Sequence, residues 1–223
     1  MTTSEGLGFS PLLAADRVRS CAYSPSLIAQ RPEITTARLA MYLHGPEHAR
    51  LLRDHVVRNG AHLARWSPAY PDDYLTEVYW KIRGDKNVED AADGKAFRFA
   101  IAWRDQPKDP VLGMIALTEI ARGPQQHANL GYGLDERDQG KGIMVEAVRA
   151  LCTWAFDELL LHRITANYMP TNERSAKVLR RCGFSVVGYA RDYLFINGAW
   201  RDHVLTALTD PQERAPGPGC GPG

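Results

Sequence analysis

Eight consecutive residues carry the strongest signal in this chain: Arg137-Asp138-Gln139-Gly140-Lys141-Gly142-Ile143-Met144. They separate a strand-like run, 130–134, from a long apolar stretch of helical character that starts near Lys141. A glycine-rich turn between strand and helix leaves free backbone N–H groups at the positive end of the helix dipole, which suits an anion. Gly140 and Gly142 lack a Cβ atom, so a polyphosphate can approach the backbone closely. The glycine spacing is neither the dinucleotide fingerprint nor the P-loop.

Composition limits the class of protein. The chain has 223 residues, 44% hydrophobic and 24% charged, as in one soluble globular domain with tails. A net charge of +1 gives no overall attraction to nucleic acid or membrane, so we expect neither as a partner. No apolar run approaches the roughly 18 residues of a membrane helix, and the first ten residues do not resemble a secretion signal.

Cysteine usage predicts the compartment. The four cysteines lie far apart, with no C-x-x-C pair and no histidine pattern beside them. That spacing argues against both a zinc site and a disulfide framework. We therefore expect a cytoplasmic protein without a metal.

Hydrophobic patterning predicts a mixed α/β (α+β) domain between two irregular ends. Residues 1–33 lack a sustained period and are interpreted as a flexible extension, with a short helix around 12–18. Residues 211–223 form a Gly/Pro-rich tail that is expected to be disordered. The domain itself is expected at 34–210.

Strands and helices alternate within this domain. The predicted strands are 38–43, 96–103, 111–120, 128–134, 162–169, 184–195 and 199–208. The predicted helices are 46–57, 71–86, 141–160 and 172–182. The third helix confines its polar residues to a narrow stripe, so we expect it to be buried against the sheet. Asn197-Gly198 between two strand-like runs is a strong hairpin signal.

Two motifs resemble the signatures of the GNAT acetyltransferases. The sequence pattern Arg-x-x-Gly-x-Gly at residues 137–142 is similar to the coenzyme A pyrophosphate loop of these enzymes. Asn172-x-x-Ser175, followed by Leu179 and Gly183-Phe184, is similar to their second signature, a helix closed by Gly-Phe. Asn172 also suits a helix cap and Gly183 a helix end, and both roles are compatible with the resemblance.

Longer segments resemble the RimJ/RimL type within this family, whose members acetylate the N-termini of ribosomal proteins. These segments are 166–170, 188–194 and 197–208, and the similarity extends over about 35 to 211. In the first half of the chain, the clearest match to this type is Leu63-x-x-Trp66-x-Pro68. The resemblance implies the GNAT fold, a mixed central β-sheet with a splayed strand pair and flanking helices.

The resemblance also implies a site. Strand 130–134 would part from its neighbour and lend its backbone to the pantetheine arm of acetyl-CoA. The implied cofactor-binding residues are Tyr132, Leu134, Arg137, Gln139, Gly140, Lys141, Gly142, Ile143, Met144, Asn172 and Ser175. Trp66, Tyr193 and Arg201 are the expected acceptor contacts, with Trp66 in the wall made by the first helices.

The proton-transfer groups depart from the family pattern. Many GNAT enzymes carry a general-acid tyrosine where this chain has Leu179, and the RimL type uses a cysteine and a glutamate where it has Tyr168 and Leu194. We expect Tyr168 to protonate the leaving thiolate and Asp192 to take up the amine proton through waters. No cysteine stands in a recognisable nucleophile arrangement, which favours direct transfer in a ternary complex.

The expected function is transfer of an acetyl group from acetyl-CoA to the N-terminal alanine or serine of a protein, by the resemblance a small-subunit ribosomal protein. Two alternatives stay open, because folds are reused. One is an acetyltransferase that detoxifies a small amine or antibiotic, and the other is a non-catalytic domain that senses acyl-CoA. An acyl-CoA loop fits all three, and the sequence leaves monomer or dimer open.

Overall fold

The computed structural model describes residues 31–106 and 110–212. Within them, eight strands form one sheet in the order β1-β2-β3-β4-β5-β6-β8-β7. The strands are β1 Glu33–Thr35, β2 Leu39–Leu43, β3 Phe97–Trp103, β4 Gly113–Ala121, β5 His127–Leu134, β6 Arg163–Tyr168, β7 Ser185–Ile196 and β8 Ala199–Thr209. The helices are α1 Ala49–Ala64, α2 Glu77–Ala92, α3 Ile143–Asp157 and α4 Glu173–Arg181. No described helix has the length and apolar character needed to cross a bilayer.

The predicted mixed sheet is confirmed, and one strand was missed. β1 begins at Glu33, inside the predicted extension, because three residues are too few to show an alternating pattern. The predicted helix at 12–18, the tail from 213 onward and residues 107–109 lie outside the described residues.

The predicted ends of the first two helices were wrong. A 3-10 turn at Pro46–His48 leads into α1, which continues to Ala64 rather than stopping at 57. The extra turns bury Asn59 and His62, and these polar side chains hid the apolar period. α2 begins later than predicted because Thr76 caps it, accepting a hydrogen bond from the Tyr79 N–H.

α3 covers one face of the sheet as predicted. Its buried residues include Ile143, Ala147 and Leu151, which join the main apolar core with β2 to β6. A smaller cluster on the opposite face joins α1 and α2 to the sheet through Leu52, Trp80 and neighbouring residues. The sheet is therefore enclosed between two helical layers.

The splayed strand pair is confirmed by the hydrogen-bond register. β5 and β6 are parallel and pair only through 127–129 and 163–165. β5 continues to Leu134 and β6 to Tyr168 without further pairing between them. The sheet consequently opens at its centre, next to the point where α3 begins.

Candidate active site

A cavity of about 1070 Å³ lies at the opening between the splayed strands. Part of its wall is a row of residues in register across three strands, Arg98 of β3, Ala116 of β4 and Gly131 of β5. His44 extends this row, because its N–H donates to the Arg98 carbonyl at 3.4 Å. Small residues in the row leave room above the sheet. The cavity reaches from this row to the starts of α3 and α4.

The glycine loop at one end of the cavity holds two left-handed residues. Gly140 has φ +77° and Gly142 has φ +78°. A Cβ atom on Gly140 would meet nothing within 4 Å, and one on Gly142 would find only the Arg38 guanidinium, 3.7 Å away. Glycine is therefore required here by backbone conformation, not by crowding from the protein itself.

The start of α3 is open to an anion. Gly142 occupies the capping position and supplies no side-chain hydrogen bond. The first N–H groups of the helix have no intrahelical acceptors, and Ile143 and Met144 line the cavity. The positive end of the helix dipole thus faces the cavity beside the glycine loop.

The basic residues that line the cavity near this loop belong to α4. Arg174, Lys177 and Arg181 line the cavity, whereas Arg137 and Lys141 do not. The Lys141 ammonium instead bonds to Asp138 at 2.7 Å. Sequence reasoning missed Arg174, although it lies inside the second signature, between the two residues that the motif specifies.

Gln139 links three elements around the loop. Arg174 donates to its side-chain oxygen, so its amide nitrogen faces the other way and meets His62 Nε2 at 2.6 Å. Because Nε2 accepts this bond, the imidazole proton is assigned to Nδ1. That nitrogen is buried, has no hydrogen-bond partner and lies 3.6 Å from the Glu136 carboxylate. His62 was also missed, because the sequence placed it beyond the end of the helix.

The beginning of the loop is anchored on α1. Asp135 is buried and accepts hydrogen bonds from Arg58 Nε at 2.6 Å, from the Asn59 amide at 3.2 Å and from the Arg137 N–H at 3.1 Å. The Asn59 side-chain oxygen, Oδ1, accepts from the Glu136 N–H at 3.1 Å. Burial raises the pKa of Asp135, but these hydrogen bonds outweigh it and lower the pKa below its usual value.

Tyr132 and α4 meet across the cavity. The Tyr132 hydroxyl lies 2.8 Å from Ser175 Oγ, and burial raises the pKa of Tyr132 well above its usual value. Asn172 caps α4 by accepting from the Ser175 N–H at 3.1 Å. The cap and the Tyr132 contact hold this helix start against the unpaired part of β5.

The other end of the cavity is aromatic. Trp66, Tyr70, Tyr74, Tyr79 and Trp80 line it together with Arg65 and Arg83. The Tyr70 and Tyr74 rings stack with centroids 3.8 Å apart, and Trp80 Nε1 donates to the Tyr74 carbonyl at 2.9 Å. This end is an aromatic wall made by α1, α2 and the segment between them.

The predicted site residues divide into two groups. Those that line the cavity are Trp66, Tyr132, Leu134, Gln139, Gly140, Gly142, Ile143, Met144, Asn172 and Ser175. Those that do not line it are Arg137, Lys141, Tyr168, Asp192, Tyr193 and Arg201. The described residues contain no group of three or more His, Cys, Asp or Glu side chains that could hold a metal ion.

The two predicted catalytic residues lie away from the cavity wall. Tyr168 packs against the main core. Asp192 is exposed on β7, the outermost strand, with φ +47° and its N–H bonded to Asp202 at 3.0 Å. The strand order separates β7 from the opening by two strands, and the cavity gives these predicted roles no support. They stay predictions.

Comparisons with known proteins agree with this architecture. The family described as acetyltransferase (GNAT) domain matches residues 38–185. The chain is 38% identical over 178 residues to the [ribosomal protein uS5]-alanine N-acetyltransferase of Escherichia coli, covering 80% of this chain and 91% of that protein.

Solved structures extend the comparison. The ribosomal-protein-S5-alanine acetyltransferase of Vibrio fischeri has a TM-score of 0.78 at 36% identity, covering 83% of this chain and 100% of that one. RimJ of Mycobacterium smegmatis, solved with CoA-disulfide, has a TM-score of 0.74 at 24% identity over 83% and 90% of the chains, a likeness of fold. With a match over most of its described length, the chain belongs to the GNAT acetyltransferase family.

Proposed function

We propose that this protein transfers the acetyl group of acetyl-CoA to the N-terminal alanine or serine of a protein, and that a small-subunit ribosomal protein is its acceptor. The observation that carries the proposal is the single cavity that joins an open helix start to an aromatic wall through the split between β5 and β6. Such a cavity can hold a long cofactor at one end and an acceptor at the other. The names of the similar E. coli and V. fischeri enzymes support the choice of acceptor.

The residues around the split fit acetyl-CoA. The N–H groups at the start of α3, beside Gly140 and Gly142, would hold the pyrophosphate, with Arg174 adding positive charge. The backbone of β5 near Gly131 is not paired with β6, so its polar groups are free to bond with the pantetheine amides. This fit rests on hydrogen-bond donors of the protein, at the start of α3 and along β5, that have no partner within these elements.

Direct transfer suits the cysteines that the structure describes. Neither Cys152 nor Cys182 lines the cavity, and burial raises the pKa of both thiols. A thiol with a raised pKa supplies little thiolate at neutral pH, so neither is suited to carry the acetyl group. We therefore propose that the amine attacks the thioester carbon directly, with backbone N–H groups of β5 stabilising the developing oxyanion. Both thiols are free, which supports a cytoplasmic location.

The attacking amine must be neutral, and this favours N-termini. Reference pKa values are about 7.8 for an α-amine and about 10.4 for lysine. At neutral pH, the difference makes deprotonation of lysine about 3.5 kcal/mol more costly. No Asp or Glu of the described part of the chain lines the aromatic end of the cavity. A site without a strong base at the acceptor end can use an N-terminal amine far more readily than a lysine side chain.

Mass spectrometry of a defined acceptor tests the proposal. Ribosomal protein uS5 with a free N-terminal alanine would be incubated with acetyl-CoA and the protein, beside a matched sample whose N-terminus is chemically blocked. We expect one acetyl group on the α-amine of the free sample and none on the blocked one. Transfer only to small amines would instead support detoxification, and acetyl-CoA binding without any transfer would support a sensing domain.

A further inference from the structure

The aromatic end of the cavity carries an uncompensated positive charge. We call the part of this end that includes α2 the acceptor wall, and it comprises His44, Tyr74, Tyr79, Trp80, Arg83 and Arg98. Arg65 lies outside it, exposed and over the Trp66 ring. Two of its three basic residues add little charge. Arg98 donates to the Asp90 carboxylate at 2.8 Å, which neutralises it. Burial and the nearby His48, Arg98 and Arg83 side chains lower the pKa of His44 to about 3, so this imidazole is neutral at physiological pH.

Arg83 is the exception. It is half-buried and lines the cavity, yet within the described part of the chain it has no ion pair and no hydrogen bond. The other basic residues of α2 are both paired, Lys81 with Glu77 at 3.1 Å and Lys86 with Glu89 at 2.9 Å. A partly desolvated cation without a partner is unfavourable unless a ligand supplies the opposite charge.

Among residues 31–106 and 110–212, no acidic side chain pairs with this arginine. The acidic residues that line the cavity are Glu136 and Glu173, which belong to the loop and to α4 at the cofactor end. Glu173 is already 3.5 Å from Lys177. The charge that Arg83 lacks must therefore come from whatever binds beside the acceptor wall.

We propose that Arg83 selects acceptors by binding a side-chain carboxylate, from aspartate or glutamate, at one of the second to fourth positions after the reactive N-terminus. This inference rests on the proposed function and names the class of N-terminus that the site prefers. A guanidinium binds a carboxylate through paired hydrogen bonds, which gives orientation as well as affinity.

Matched peptides test the inference. Each peptide begins with alanine and carries either Glu or Gln at position two, three or four, and kcat/KM is measured with saturating acetyl-CoA. We expect wild-type protein to prefer Glu at one of these positions by about tenfold, the value of one charge-assisted hydrogen bond. Arg83→Gln should remove the preference by lowering kcat/KM for the Glu peptide alone. Arg83→Lys should restore part of it.

Lys81→Gln is the control, since it removes a cation from the same helix outside the cavity. It should retain the wild-type preference. The inference is overturned if wild-type protein treats Glu and Gln peptides alike at all three positions. It is also overturned if Arg83→Gln lowers kcat/KM equally for both peptides, as a purely structural role would. Failure to acetylate any alanine peptide would contradict the proposed function itself, whereas equal acetylation of all of them would contradict only the carboxylate preference.

Discussion

Gly142 and Gly198 have nearly the same backbone conformation in different places. Their φ angles are +78° and +75°, but Gly142 begins α3 at the cavity and Gly198 lies in the β7–β8 turn. Alanine should destabilise either position by about 1 kcal/mol, because a left-handed residue with a Cβ atom is strained. Only Gly142→Ala should also weaken acetyl-CoA binding, by about tenfold or more. Calorimetric titration and thermal unfolding of both variants check this. Unchanged affinity in Gly142→Ala would remove the loop from the cofactor site.

Gly131 offers a way to fill the cavity without strain. A Cβ atom there would meet nothing within 4 Å, and its φ is not positive. Gly131→Leu should leave the free energy of unfolding within about 0.5 kcal/mol of wild type, as for other surface changes. Acetyl transfer should be lost, because the side chain would occupy the space beside Ala116. Gly188→Leu is the control, since that strand glycine lies outside the cavity and a Cβ atom there would be 3.8 Å from Leu205. Retained activity in Gly131→Leu would mean that ligands bind elsewhere.

Single residues were predictable where a motif encodes backbone geometry. Gly140, Gly142 and Asn172 lie at the cavity because a turn, a left-handed residue and a helix cap are local properties of the chain. His62 and Arg83 were not predictable, because their importance depends on partners that only tertiary packing supplies or withholds. Local patterns carry no information about a missing ion pair.

At the scale of elements, α1 supports the start of the cofactor loop through Arg58. Arg58→Met should lower the free energy of unfolding by about 2 to 3 kcal/mol at pH 7, less than for a fully buried pair. The reason is that Arg58 keeps 26% of its side chain exposed while Asp135 keeps 6%. Arg50→Met removes a 60% exposed partner of Asp54 and should cost at most about 0.5 kcal/mol. Urea unfolding of both variants measures the difference.

The same pair predicts a pH dependence. The pKa of Asp135 is lower in the folded protein, so its stabilisation is present above about pH 4 and is lost as pH falls through the folded pKa. Arg58→Met removes part of that lowering. The gap in stability between wild type and Arg58→Met should therefore be largest at neutral pH and shrink below about pH 4. A gap that stays constant down to pH 3 would show that lost packing, and not charge, causes the destabilisation.

The hydrophobic period of the sequence predicted which segments are helices and which are strands. It did not predict where the helices begin and end. The apolar circumference of α3 and the Asn197-Gly198 turn were clear in the sequence. The ends of α1 and α2 were obscured because polar residues such as Asn59 and Asn87 are buried there to bind backbone groups. Because a prediction from periodicity treats such residues as exposed, the predicted helix is too short or is shifted along the chain.

At the scale of the whole molecule, strand order decides which predicted residues can share a site. β7 and β8 form a long hairpin, and β8, not β7, pairs with β6. Asp192 and Tyr193 are therefore carried to the sheet edge, where a motif match along the chain could not place them. The cofactor half of the site, by contrast, is built from β5, the loop and α4, which meet at the split.

Competition between two amines on one peptide tests the central claim most directly. The peptide begins with alanine and contains one internal lysine, and a second copy has its N-terminus blocked. Mass spectrometry at pH 7 would follow the rate of acetyl transfer from acetyl-CoA to each of the two peptides and show which amine carries the acetyl group. We predict acetylation of the α-amine, with the blocked peptide acetylated more slowly by about 100-fold or more because of the pKa difference between the two amines. Comparable rates for the blocked peptide, with the acetyl group on lysine, would contradict this prediction.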